Sequence, residues 1–123
     1  MKTILTLLIT FMMISTSALF GQNDSGKRFE SVSNEVFKEA VASGEYIILD
    51  VRTVEEYEEG NIDGAKLVDY NDKSFDQIIN DMPKDRKYLV YCAVGVRSKG
   101  AMEKMKEKGF THVLELDKGY DNW

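Results

Sequence analysis

Tyr88-Leu89-Val90-Tyr91-Cys92-Ala93-Val94-Gly95-Val96-Arg97-Ser98 runs a short apolar segment into a glycine-bearing loop and then into a helical one. An apolar run of four or five residues without strict alternation suits a strand covered on both faces. Two more such runs are Tyr46–Asp50 and Val113–Leu116, with a weaker one at Ala65–Val68 and an edge candidate at Phe29–Val32. Helical signals fill the gaps. Ser33 precedes a stripe of Val36, Phe37, Ala40 and Val41 that Gly44 ends. Thr53 with Glu56, and Ser74 with Gln77, have capping-box spacing, the first for a short helix to Glu59. The second would put Phe75, Ile78, Ile79 and Met82 on one face, with Pro83 just beyond. Ala101, Met102 and Met105 mark a fourth helix that Gly109 terminates. Strands alternating with helices predict an α/β domain: a small parallel sheet with helices on both faces.

The chain has 123 residues, 16 Lys+Arg, 21 Asp+Glu, one His and one Cys, with a net charge of -5. That is one domain at most. The negative balance argues against a nucleic-acid partner. One cysteine makes no intrachain disulfide, and one His with one Cys builds no Cys/His zinc cage, which leaves a single thiol, carboxylates, hydroxyls or a bound cofactor to carry any chemistry.

Residues 1–21 read as a secretory signal peptide. Lys2 gives the positive start, Ile4–Ile14 the apolar run, and Ser15 to Gly21 the small residues near a cut after Ala18 or, preferably, Gly21. The run is shorter than the roughly 20 residues of a membrane span, so no span is expected after cleavage. No cysteine lies near the cut for lipid attachment. Cleavage leaves 102 residues with a net charge of -6. Residues 22–27 read as a flexible leader and 28–123 as the domain, exported to a periplasm or secreted.

Cys92 opens a tight strand-to-helix loop. Backbone N–H groups curling round the sulfur, the following helix N-terminus and Arg97 would all favour thiolate over thiol. Gly95 permits the backbone angles such a curl needs, and Ser98 is a candidate cap for the helix. Four residues separate Cys92 from Arg97. Cysteine-dependent phosphatases have five, and the shorter ring suits one extra sulfur atom rather than a tetrahedral phosphate. Arg97 either binds a donor anion or holds the loop. Asp50 and Arg52 are read as a structural ion pair or turn, with electrostatic support of the site as the alternative. Glu55, Glu56, Glu58 and Glu59 are read as a solvated helix face. His112 is placed on the far side of the helix from Cys92, and Trp123 is read as a packing residue.

The chain resembles the rhodanese-like (thiosulfate sulfurtransferase) domain family over about residues 29–123. Three blocks carry the resemblance. They are Leu49-Asp50-Val51-Arg52 with Glu55-Glu56-Tyr57, Gly60-Asn61-Ile62 and Gly64-Ala65; Tyr91 to Ser98; and Gly109-Phe110, Val113, Leu116, Gly119 and Trp123. The resemblance implies sulfur transfer through a Cys92 persulfide, with Ala93, Val94, Gly95, Val96, Arg97 and Ser98 forming the loop that stabilises it. The implied donor is thiosulfate, a persulfide or a polysulfide. The implied acceptor is cyanide, a thiol or a protein thiol, and the resemblance implies no metal or organic cofactor. The alternative is a non-catalytic sulfur carrier or partner-binding module on the same fold. Asn61 stands where the family commonly has His, Ala93 and Val94 where some members carry cations, and Lys118 where a first glycine is usual. The chain ends at Trp123, short of the further helix many members have, which implies a less covered site floor.

Overall fold

Five short strands, all parallel, make one sheet in the order β1-β5-β4-β2-β3. The strands are β1 (Arg28–Val32), β2 (Tyr46–Asp50), β3 (Lys66–Leu67), β4 (Lys87–Tyr91) and β5 (His112–Leu116). Between them lie the helices α1 (Asn34–Ser43), α2 (Val54–Glu59), α3 (Phe75–Asp81) and α4 (Val96–Glu107), and a 3-10 turn at Tyr120–Asn122 follows β5. This computed structural model describes residues 26–123. The expected signal peptide at 1–21, and all but the end of the leader at 22–27, lie outside the described residues.

Period-two alternation along the strands divides the core in two. Leu49, Tyr88, Val90 and Val113 face α3 and α4, packing on Phe75, Ile79, Ala101, Met102 and Met105. Ile48, Leu89, Tyr91, Leu114 and Leu116 face the opposite way, onto Phe37 and Ala40 of α1, Ile62 and Ala65. Trp123 packs here as expected, edge-on to Phe37 at 5.7 Å between ring centroids. Removing a large side chain from either layer would cost about 3–5 kcal/mol.

Local chemistry sets most of the helix ends. Ser33 accepts from the Val36 amide at 3.3 Å, and Gly44 closes α1 in the left-handed conformation at φ 71°. Thr53 and Glu56 form the full capping box on α2. The other box does not form. Ser74 has helical angles and no cap bond, because Asp72 captures both its amide (2.8 Å) and its hydroxyl (2.6 Å). Gln77 turns to Asp81 instead. Ile78, expected on the buried face of α3, is exposed. The strand expected at Ala65–Val68 shrinks to Lys66–Leu67.

Glu56 also corrects the reading of the acidic run as wholly solvated. Its carboxylate takes a forked pair of bonds from Arg97, at 2.8 and 3.0 Å, and so ties α2 to the start of α4. The Arg97 hydrogen bonds hold the Glu56 carboxyl down at about 2, against an opposing push from burial and with help from Thr53. A depressed carboxylate stabilises the fold fully above its unfolded value, and that contribution disappears as pH falls toward about 2. Both side chains are partly exposed, which keeps the effect near 1 kcal/mol. Glu56→Gln should therefore lower unfolding free energy by about 1 kcal/mol at neutral pH. The difference from wild type should vanish near pH 2. Urea titrations at both pH values check this, and an equal loss at both would assign the effect to something other than the ion pair.

Candidate functional site

In a parallel sheet the carboxyl ends of all strands share one edge, and there β4 delivers Cys92. The chain then turns through Ala93 and Val94 to Gly95, which sits at φ 90° and is the residue before α4. Gly95 is required twice over. Its φ is in the left-handed region, and a Cβ there would collide with the Asp117 carbonyl. Ser98, expected to cap α4, instead lies in its first turn and faces the sulfur.

The loop wraps the thiol as the sequence suggested. The amides of Gly95 and Ser98 point at Cys92 Sγ from 3.2 and 3.3 Å, and Ser98 Oγ lies 3.4 Å from it. Burial pushes the Cys92 thiol up. Hydrogen bonding with Ser98 Oγ and the bonds from the amides of Ser98, Gly95 and Val94 outweigh it, and the net direction is down. Cys92 is fully buried, whereas Val94 and Val96 on the loop are 56% and 73% exposed. An anion-stabilising floor thus lies under an apolar rim.

The segment after β5 braces this loop from the other side. Tyr120 N–H donates to the Cys92 carbonyl at 2.8 Å and Asp121 N–H to that of Ala93 at 3.0 Å. Gly119, at φ 75°, comes so close that a Cβ would overlap the Ala93 carbonyl. The glycine essential to this packing is Gly119. Lys118 beside it, the departure from the usual glycine pair, is exposed and leaves the approach intact.

Asp50 and Arg52 support the site at one remove. Arg52 Nε and Nη2 fork onto the buried Asp50 carboxylate at 2.9 and 2.7 Å, and Nη2 also reaches the Gly60 carbonyl at 2.6 Å. Tyr91 donates to Asp50 at 2.8 Å, and the Arg52 guanidinium stacks on the Tyr120 ring at 4.4 Å. The pair thereby fixes Tyr120, whose amide holds Cys92. Asn61 donates to the Tyr57 carbonyl at 3.1 Å, a purely local bond. Arg97 pairs with Glu56, an arrangement that holds the loop at the start of α4. His112 sits at the opposite end of the sheet, against the Tyr46 hydroxyl at 3.0 Å.

Glu115 is the residue the sequence reading passed over. It lies inside the apolar run of β5, is fully buried, and accepts the Ser98 hydroxyl at 2.6 Å. A charged residue within a strand read as covered on both faces was the signal available. A hollow of about 320 Å³ abuts the loop at Ala93, lined mainly by Arg52, Glu56, Glu59, Tyr120 and Asp121. Among the described residues no three His, Cys, Asp or Glu side chains converge as a metal site would require.

Comparison with known proteins agrees with this geometry. A family model described as "Rhodanese-like domain" matches residues 33–123. The chain is 30% identical over 102 residues to the putative sulfur carrier protein YrkF of Bacillus subtilis, covering 82% of this chain and 54% of that one. It is 30% identical over 101 residues to the thiosulfate sulfurtransferase GlpE of Coxiella burnetii, covering 77% and 87%. It spans only about half the length, or less, of the first curated relatives it matches. A solved rhodanese-like domain protein from Staphylococcus aureus superposes with a TM-score of 0.68 at 28% identity, covering 76% of this chain and 90% of that one. A match that runs from the cap of the first helix to Trp123, over β2 to β5 and the cysteine loop, makes the chain a member of the rhodanese-like domain family.

Proposed function

We propose that this chain is a sulfurtransferase that carries a sulfane sulfur on Cys92. The observation that carries the reading is the pair of amides aimed at Cys92 Sγ. In the first step the thiolate attacks the terminal sulfur of the donor. A bond forms between the two sulfurs, the donor's own bond to that sulfur breaks, and sulfite or a thiolate leaves with the electron pair. The product, a Cys92 persulfide, is an anion of the kind the loop amides stabilise. A nucleophilic acceptor then takes the outer sulfur and regenerates the Cys92 thiolate. Burial of Sγ favours donors whose reacting sulfur is terminal, as in thiosulfate or a persulfide, over those flanked on both sides. The apolar Val94 and Val96 rim favours persulfide and polysulfide donors over thiosulfate.

A second reading, a sulfur carrier that loads once and passes its sulfur to a partner, has specific support in the apolar rim and in the likeness to the putative sulfur carrier protein YrkF. The two differ in turnover. We further propose that the chain is exported, on the strength of the Ile4–Ile14 run.

Intact-mass analysis after exposure to thiosulfate or polysulfide tests the reading. One added sulfur is expected, removable by cyanide and absent in Cys92→Ser. Failure of every sulfane donor to add sulfur would end it. Many turnovers per chain support the enzyme, and a single stoichiometric transfer supports the carrier. The same spectra, taken on protein from an exporting host, locate the cut, expected after Gly21. Gly119→Ala should displace the Ala93 carbonyl and slow sulfur transfer at least about tenfold, equivalent to about 1.4 kcal/mol. Lys118→Ala should stay within about twofold of wild type. Equal rates for Gly119→Ala and wild type would remove the brace from the account.

A further inference from the structure

Val113 and Glu115 of β5 alternate onto the face that α4 covers. A buried carboxylate is unfavourable there unless its charge and lone pairs are met. Glu115 Oε2 accepts the Ser98 hydroxyl at 2.6 Å. Glu115 Oε1 lies 3.2 Å from Lys99 Nζ, but outside hydrogen-bonding geometry. Lys99 is half-exposed and divides its charge, reaching Asp117 at 3.0 Å and the Gly95 carbonyl at 3.2 Å. Ser98 Oγ is also 3.4 Å from Cys92 Sγ. Sulfur, hydroxyl and carboxylate therefore form one connected chain of atoms.

Ser98 has a single hydroxyl proton, and that sets the logic. With Cys92 as thiol and Glu115 ionised, Ser98 gives its proton to Glu115 and accepts one from S–H. With Cys92 as thiolate, Ser98 must turn its proton to the sulfur, and its lone pair then accepts a proton held on Glu115. The two arrangements contain the same number of protons.

We propose that Glu115 is the internal proton acceptor for Cys92, acting through the Ser98 hydroxyl. The S–H bond breaks, and its electron pair stays on sulfur. That proton goes to Ser98 Oγ, and the Ser98 proton goes to Glu115 Oε2. No proton enters or leaves the protein. Glu115 does not touch the sulfur, so it is a positioning residue that sets where the proton resides. The inference rests on Cys92 being the reactive thiol, as assigned above.

The charged groups facing this chain of atoms are Lys99 and Arg97 from α4 and Asp117 from the turn after β5. Neighbouring β1 and β4 contribute only Ser31 and Val90 beside Glu115. The Lys99 ammonium faces the Glu115 carboxylate, and the amides of Gly95 and Ser98, with the charge on Arg97, face the sulfur.

Infrared spectroscopy at neutral pH tests the assignment, because a protonated buried carboxyl has its own carbonyl band. The band is expected in wild type and should be lost in Glu115→Gln. It should also be lost in Cys92→Ser, where no acidic thiol remains to supply the proton. A wild-type protein without the band, or a band that persists in Cys92→Ser, would overturn the proposal. A merely structural Glu115 gives one of those two results. As a second readout, thiolate absorbance against pH, taken as the difference from Cys92→Ser, should rise in two steps in wild type and in one in Glu115→Gln. A single wild-type step would also count against the relay. If Glu115→Gln does not fold, the wild-type and Cys92→Ser spectra decide alone. Neither readout needs a sulfur donor, so failure of sulfur transfer is seen separately, in the mass measurement.

Discussion

Two backbone N–H groups, those of Gly95 and Ser98, aim at one sulfur atom at the end of a buried strand. Most of the local architecture follows from that arrangement. A thiolate in an apolar sheet is costly, and without donors burial would hold Cys92 as an inert thiol. The amides reverse this only if the loop is held to a tight radius. That requires a positive φ at Gly95 and an external brace, because four residues cannot rigidify themselves.

The brace comes from three directions. Gly119 and the amides of Tyr120 and Asp121 press on the Cys92 and Ala93 carbonyls. The Asp50–Arg52 pair fixes Tyr120 through its ring, and the Glu56–Arg97 fork fixes the start of α4. Each is a contact between elements far apart in sequence that parallel strands bring to one edge. Preorganisation of this kind places donors before the charge appears, where they are most effective. The same packing buries Glu115 behind Ser98, so the carboxylate and the nucleophile share a hydroxyl.

What the sequence revealed depends on how local the cause was. The strands at Tyr46–Asp50 and Tyr88–Tyr91 were legible because an apolar run between turn residues has few other fates. Thr53 with Glu56 was legible because a capping box is closed within four residues. Ser74 with Gln77 has the same spacing, yet Asp72, two residues earlier, competes for the Ser74 amide and wins. The site was legible in its centre, at Cys92, Gly95 and the loop, and less so at its margins. Glu56 read as one member of a solvated run because its partner is Arg97, 41 residues away. Glu115 was hidden by its neighbours: Val113, Leu114 and Leu116 mark the strand as buried, and only the packing of α4 reveals what a carboxylate does there. Ser98 read as a cap because the helix begins two residues before it, at Val96.

With one cysteine in the chain, selective carbon-13 labelling of cysteine gives a single Cβ signal, whose shift separates thiol from thiolate. Following that signal against pH, in the folded protein and in the same chain unfolded by urea, tests the central claim that the loop stabilises the Cys92 anion. The account predicts half-conversion to thiolate at a lower pH in the folded protein than in the unfolded chain, where it should lie near the free-cysteine value of about 8.5. A folded midpoint equal to or above the unfolded one would contradict it.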